Sequence, residues 1–308
     1  MTQNSKPKII VILGPTASGK SDLAVHIAKQ CNGEVISADS RQVYKGLDIG
    51  SGKITKKEMQ GVPHHLLDVV SPKQIFSVED FKIKAQEAIQ TILNKGKVPI
   101  ICGGTGFYID TLVKNLVFPE VKPNPAFRTK NLEFTAEKLY KKLQKLDPKR
   151  AKTIDPQNKV RLIRALEIAI SLGKVPKITS KPLYDPLYIG ISWEKDALQK
   201  RIEKRLLSRL KQGMITEAKH LHAKGLSFKR MEALGLEYRY LARYLKKEIT
   251  KKELITELTL KIYQYAKRQI QWFKRDTDIH WFTSNELDNV PTIITTFLKS
   301  NSEKPSLF

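Results

Sequence analysis

Along the first third of the chain, short apolar runs alternate with longer stretches whose apolar positions recur every three or four residues. The runs 9-IIVIL-13, 35-VISAD-39 and 98-VPIICGG-104 are nearly continuous, as strands covered on both faces of a parallel sheet must be. Between them, 21-SDLAVHIAKQ-30 and 79-EDFKIKAQEAIQTILNKG-96 each present one apolar face and predict helices. Alternation of this kind predicts an α/β fold with a doubly wound parallel sheet. Such sheets receive ligands at the carboxyl ends of their strands, so the residues just after each strand carry most interest.

Near residue 118 the pattern breaks. The stretch 118-FPEVKPNPAF-127 holds three prolines in eight positions and reads as a boundary. Two helices are predicted beyond it. One is 135-TAEKLYKKLQKL-146, with Thr135 as N-cap. The other is 156-PQNKVRLIRALEIAISLG-173, with Asp155 and Pro156 at its start and Gly173 at its end. The segment 174-KVPKITSKPLYDP-186 is again proline-rich. Residues 119–186 therefore read as an all-helical insertion domain, and residues 1–118 with 187–308 as the core. Strand-like 187-LYIGIS-192 rejoins the sheet, amphipathic helices fill most of 194–274, and a short apolar tail follows.

Hydrophobic content of 41% over 308 residues fits an ordinary globular protein, but the charge does not. Of 55 Lys+Arg and 31 Asp+Glu, residues 1–110 hold 14 and 10, which leaves 41 and 21, a net of +20, on residues 111–308. A solvated surface is one reading of that excess; a polyanionic partner, nucleic acid or an anionic membrane, is the other. Two cysteines, Cys31 and Cys102, supply neither a disulfide framework nor a zinc cluster and suit a reducing cytosol. The leading MTQNSKPK is too short for a signal peptide, and no apolar run approaches the ~20 residues of a membrane span. The expectation is a soluble, cytoplasmic monomer.

The stretch 14-GPTASGKS-21 completes the spacing G-x-x-x-x-G-K-S between a strand and a helix. Its glycines let the backbone curl so that successive N–H groups face phosphate oxygens. Lys20 adds a point charge, Ser21 a hydroxyl for Mg²⁺, and the following helix its positive end. Asp39 closes the second strand, where a carboxylate serves as metal ligand or proton acceptor; its other reading is an N-cap of the next turn. Arg41 and Gln42 offer donors of the kind that bond nucleobases. In 103-GGTGFY-108, paired glycines permit close backbone approach, and Thr105 falls beside Asp39 if their strands are neighbours. The strand before it lacks the terminal aspartate common in ATPases, which points away from hydrolysis. In 201-RIEKRLLSRLKQG-213, Arg201, Arg205 and Arg209 share one helix face and suit a diphosphate or a nucleic-acid backbone, or else form a solvated stripe. In 263-YQYAKRQIQWFKR-275, Lys267, Arg268, Lys274 and Arg275 interleave with Tyr265, Trp272 and Phe273. That mixture suits RNA, unless the aromatics are core. His64 and His65 lack partners at metal-ligand spacing and read as structural.

Taken together, GPTASGKS, SADSRQVYKGLDIGSGK, GVPHHLLDVVSP, ICGGTGFYI, PQNKVRLIRALEI, RIEKRL and YAKRQIQWFKR resemble, in order, the tRNA dimethylallyltransferases (the IPP transferase family). The resemblance implies a P-loop NTPase-like parallel sheet, C-terminal helices and a helical insertion that clasps the anticodon stem-loop. It implies transfer of a dimethylallyl group from dimethylallyl diphosphate to N6 of adenosine 37, with Mg²⁺ as cofactor. By position it puts Gly14, Pro15, Thr16, Ala17, Ser18, Gly19, Lys20, Ser21, Arg201 and Arg205 on the diphosphate, with Ser21 on the metal. It makes Asp39 the general base and Thr105 its partner. It puts Asp39, Ser40, Arg41, Gln42, Thr105, Arg128, Gln157, Asn158, Lys159, Val160, Arg161, Lys267 and Arg268 on the tRNA. The chain departs from the family where Ser51-Gly52 replaces a threonine–alanine pair and where Gly235-Leu236 replaces Gly-Tyr; both departures are expected to alter local packing only. No zinc-finger segment of the kind found in many eukaryotic members is present, so the likeness is to the bacterial type. Transfer to free AMP, a small-molecule kinase, and an RNA-binding protein without chemistry are the rival readings. The charge on residues 111–308 and the insertion speak against the first, since a mononucleotide needs neither.

Overall fold

The structure, a computed structural model, describes residues 6–300; residues 1–5 and 301–308, and with them most of the leading segment weighed above, lie outside the described residues. The chain divides into two compact units, Met1–Lys114 with Pro182–Phe308, and Asn115–Lys181. Its strands are β1 (Lys8–Leu13), β2 (Gly33–Ser37), β3 (His64–His65), β4 (Val98–Gly103), β5 (Leu116–Val117), β6 (Thr179–Ser180), β7 (Asp185–Ile191) and β8 (Ile279–Phe282).

In the first unit six strands form one sheet in the order β3-β2-β4-β1-β7-β8, with every neighbouring pair parallel. Along β1 the side chains alternate between two cores. Ile9, Val11 and Leu13 pack with the helices Val78–Asn94 and Gly106–Val113. Ile10 and Ile12 face the helices Lys20–Gln30 and Val290–Lys299. Both faces are covered, so the strand reads as an unbroken apolar run, and each fully buried side chain of this kind contributes about 1.5–3 kcal/mol. The helix Val78–Asn94 begins with a capping box from Ser77 and Asp80.

Two strands were not visible in the pattern. β3 consists of His64 and His65, which pair with Val35 and Ile36 of β2. His65 Nε2 lies 2.8 Å from Glu34 Oε2, and Lys95 and Lys97 also bond that buried carboxylate. His64 Nδ1 contacts the Val62 carbonyl at 2.8 Å, so both histidines are structural. β8, within the predicted apolar tail, adds to the outer edge of β7. Beyond the sheet, the helices Lys195–Lys211, Met214–Ala223, Phe228–Ala233, Leu236–Leu245 and Lys251–Phe273 share a core. Val43, Tyr44 and Leu47, from the segment after β2, are buried in it. That segment is therefore anchored although it lacks regular structure.

The second unit contains the helices Pro125–Leu132, Ala136–Leu146, Pro148–Ala151 and Lys159–Leu172 around Leu139, Leu143, Leu162 and Leu166. Thr135 caps its helix as expected. The last helix starts three residues later than its pattern suggested. Asn158, and not Pro156, marks its beginning, because the Asn158 side chain accepts from the Arg161 N–H. The unit is not all-helical as expected, because besides its helices it holds the antiparallel pair β5–β6. Among the described residues no helix is long and apolar enough to cross a membrane.

Candidate active site

The loops after β1, β2 and β4 emerge side by side. Leu13 pairs with Gly103 and Ser37 with Cys102, so the phosphate loop, Asp39 and Thr105 follow three adjacent strand ends. Gly103 and Gly104 permit this crowding. A Cβ on the first would collide with the Ala38 backbone, and one on the second with the Gln269 amide.

The loop from Gly14 to Gly19 is held from outside by side chains that the sequence motif does not contain. Trp193 Nε1 donates to the Ser18 carbonyl at 2.9 Å, and Arg201 Nε to the Ala17 carbonyl at 2.8 Å while stacking on Trp193. Buried Gln269 accepts from the Thr16 N–H at 2.8 Å and donates to the Gly104 carbonyl at 2.7 Å, tying the loop to the end of β4. Arg205 Nη1 donates to the Thr16 hydroxyl at 3.3 Å. Lys20 Nζ turns back onto the Pro15 carbonyl at 2.7 Å. Burial, with the Arg205 guanidinium adding to it, brings the Lys20 ammonium down to about 8; burial and Arg209 bring Arg205 down to about 10. Ser21 lies exposed in the first turn of the following helix.

Of the two readings of Asp39, the turn cap is visible in the structure. Its Oδ1 accepts from the Arg41 N–H at 2.8 Å and the Gln42 N–H at 3.4 Å, which fixes the turn. Among the described residues no hydrogen bond is made to Oδ2. Thr105 Oγ1 accepts from the Ser40 N–H at 3.2 Å and reaches the Tyr265 phenol, which burial and then the Asp39 charge push up to about 12. Cys102, beneath them in β4, is likewise pushed up to about 12 by burial, so its thiol stays protonated.

The remaining expected site residues divide. Ser40 and Arg41 are partly exposed beside Asp39, and the Arg41 guanidinium lies against Gly235. Gln42 is occupied within the protein: it accepts from Ser37 Oγ at 3.0 Å and donates to the Gly52 carbonyl at 3.2 Å. Lys267 and Arg268 are exposed on the helix Lys251–Phe273, against Tyr263 and Tyr265. Of the aromatics near them, Phe273 is core, and Trp272 donates to Asp110 at 2.9 Å. In the other unit Arg128 binds Glu167 through two bonds, at 3.1 and 2.8 Å. Burial would raise that carboxyl, but Arg128, the Asn124 N–H and Arg164 hold it at about 2. Gln157, Val160 and Arg161 are exposed there, while Lys159 Nζ donates to the Leu132 carbonyl.

The departure at residue 52 is more than local packing. Gly52 has φ +61, and the guanidiniums of Arg209 and Arg205 occupy the space a Cβ would need. The quoted motifs include Gln269 and Gly52 but not Trp193, and none signalled these contacts, because each joins segments far apart in sequence. As a whole the site offers a cationic cradle beside a carboxylate oxygen with its partner hydroxyl. That arrangement can stabilise a departing anion and accept a proton.

Comparison with known proteins agrees with this geometry. The IPP transferase family model matches residues 42–276. The tRNA dimethylallyltransferase 1 of Geotalea uraniireducens (strain Rf4) is 42% identical over 277 residues, covering 89% of this chain and 91% of that protein. The tRNA dimethylallyltransferase of Thermoanaerobacter sp. (strain X514) is 41% identical over 294 residues, 92% and 93% of the two chains. Among solved structures, the full-length tRNA isopentenylpyrophosphate transferase of Bacillus halodurans superposes with a TM-score of 0.74 at 36% identity, over 96% of this chain and 98% of that one. A eukaryotic dimethylallyltransferase, solved acting on tRNA, gives a TM-score of 0.83 at 27% identity, over 97% and 81%. In fold, in the architecture of its phosphate loop and in sequence over most of its length, the chain belongs to the IPP transferase family, that of the tRNA dimethylallyltransferases.

Proposed function

We propose that the protein transfers the dimethylallyl group of dimethylallyl diphosphate to N6 of adenosine 37, the adenine just 3′ of the anticodon in tRNA, and releases diphosphate. The observation that carries the reading is Asp39. Two backbone N–H groups hold one of its oxygens and leave the other open, at the end of β2, with β4 between it and β1 with its phosphate loop.

N6 is a weak nucleophile because its lone pair is delocalised into the ring. As the N6–C1 bond forms, the C1–O bond to diphosphate breaks and the leaving group takes the electron pair. Loop N–H groups, Lys20, Arg201 and Arg205 stabilise the charge that appears there. The donor's double bond delocalises charge on C1. Asp39 Oδ2 takes the N6 proton, a step typically worth about 10²–10⁴-fold in rate. Thr105, which accepts from the Ser40 N–H beside Tyr265, orients the acceptor amine. The base is first drawn out of the loop stack, which costs a few kcal/mol that basic contacts to the phosphates offset. Arg41, Lys267 and Arg268 supply such contacts in the core unit and Arg161 in the helical unit, while Ser40 and Gln157 add neutral hydrogen bonds and Val160 an apolar contact. Gln42, and Arg128 by way of Glu167, act by holding these surfaces in shape.

Mg²⁺ fits the site as a partner of the donor. Among the described residues no cluster of three His, Cys, Asp or Glu can cage a metal, and Ser21 presents one exposed hydroxyl. That donor set suits an ion that keeps its waters and binds chiefly to phosphate oxygens. When bound it adds positive charge to the leaving group. The reading also implies a cytoplasmic, monomeric enzyme.

The test is Asp39→Ala under single-turnover conditions. Prenylation falls by 10²–10⁴-fold while the Kd for unmodified tRNA stays within about twofold. If tRNA binding collapses together with the rate, Asp39 is a recognition residue and the assignment is wrong.

A further inference from the structure

Three arginines lie along one face of the helix Lys195–Lys211, and the third makes no hydrogen bond to the phosphate loop. Arg201 and Arg205 bond the phosphate loop directly. Arg209, one turn further, is 8% exposed. Its Nη2 has no hydrogen-bond partner, and its nearest carboxylate oxygen, on Glu237, is 3.9 Å from Nη1. Its guanidinium and that of Arg205 converge on the same point, the place a side chain at residue 52 would fill, and Arg205 Nη2 lies 3.5 Å from the Gly52 carbonyl. Two like charges thus meet in a largely dehydrated corner, each disfavoured by burial and one with an N–H group that no acceptor satisfies. Buried donors are seldom left so, and a buried cation least of all. An anion reaching the corner would satisfy both guanidiniums at once.

We infer that Arg209 is a second guanidinium on the donor's diphosphate, acting jointly with Arg205, and that Gly52 is the residue that admits it. This rests on the proposed reading of the loop as a diphosphate site and extends it to a residue outside the motif. Arg205 bridges the Thr16 hydroxyl and the Gly52 carbonyl, so it links the phosphate loop to the corner that the Arg209 guanidinium shares at Gly52. Glu237, itself pushed up by burial, is the counter-charge that tolerates Arg209 before the anion arrives. An alanine at residue 52 would drive both guanidiniums aside, so the substitutions Gly52→Ala and Arg209→Met should remove the same interaction.

The experiment titrates the full-length chain with inorganic diphosphate and excess Mg²⁺ by calorimetry, and follows the thermal midpoint with and without diphosphate. Arg209→Met should weaken diphosphate binding by about 10- to 100-fold, the range of a lost charged hydrogen bond. Its ligand-free midpoint should be no lower than the parent's, because methionine removes a buried charge, so a folding defect is not confounding. Gly52→Ala should weaken binding similarly, and the double variant should be no worse than the weaker single one. Lys20→Ala serves as the reference. Should Arg209→Met bind diphosphate as tightly as the parent while Lys20→Ala does not, or should the two effects simply add, the role of Arg209 is refuted and the loop assignment stands. Failure of the parent to bind diphosphate would overturn the loop assignment and this inference with it.

Discussion

Lys20 shows how burial gives a single side chain two opposite pH dependences. Its ammonium is lowered from 10.5 to about 8, first by burial and then by the neighbouring Arg205. Between those values the folded, ligand-free protein holds one proton fewer than the unfolded chain. Stability therefore rises with pH across that window, since the unfolded state binds more protons there. Diphosphate binding runs the other way, because the anion needs the charged ammonium and must restore the proton. Above about pH 8 the affinity for inorganic diphosphate should fall roughly tenfold per pH unit. In Lys20→Met the affinity should be weaker overall and flat over the same range. An unchanged slope in that variant would assign the titration to another group. Asp39 is ambiguous in the sequence for a related reason. A turn-capping aspartate and a proton acceptor are told apart only by which oxygen is bonded, and here Oδ1 caps the turn while no hydrogen bond among the described residues is made to Oδ2.

At the level of elements, the buried carboxylates set the response to acid. Glu34 on β2 is buried beside the edge strand β3; burial alone would raise it, but Lys97, His65 and Lys95 bring it to about 2. A depressed carboxyl stabilises the fold fully above its ordinary value of 4.5, and that stabilisation drains as pH falls toward 2. The urea midpoint should decline over this interval. Glu34→Gln should lower the midpoint at pH 7 and flatten the decline; an equally steep decline in that variant would place the acid sensitivity elsewhere. The strands that the sequence made legible were those with room for a pattern. β1, β2 and β4 are buried on both sides and read as apolar runs. β3 is a histidine pair set by its neighbour's register, and β8 is four residues long, so neither could declare itself. The helix Pro125–Leu132 did carry its signals, Asn124 as cap and Pro125 in the first turn, but they were absorbed into a proline-rich boundary. Likewise Pro156 mimicked a helix start that Asn158 makes. In the active site, glycine spacing exposed the phosphate loop because its geometry is local. Gln269, Trp193 and the Gly52–Arg209 contact depend on tertiary proximity and stayed hidden.

Across the whole molecule, the phosphate loop and the uneven charge answer two different needs. Loops of this spacing often serve nucleotide hydrolysis, yet β4 ends in Gly103-Gly104 without a terminal aspartate, and the open carboxylate sits after β2 instead. The excess of +20 on residues 111–308 suits a long anionic acceptor more than a mononucleotide. The fold and family membership fit the same division of labour, with small-donor chemistry at the carboxyl ends of the inner strands and a basic surface for the larger substrate. Under the proposed function the loop grips a leaving group whose hydrocarbon is transferred to a tRNA base. The most direct test incubates the protein with dimethylallyl diphosphate labelled in its carbon chain, in parallel with labelled ATP, and offers unmodified tRNA, tRNA whose adenosine 37 is replaced by guanosine, and AMP. Carbon label should appear on unmodified tRNA alone, with stoichiometric release of diphosphate and no transfer from ATP. Label on AMP, on the guanosine-substituted tRNA, or from ATP would contradict the proposed function.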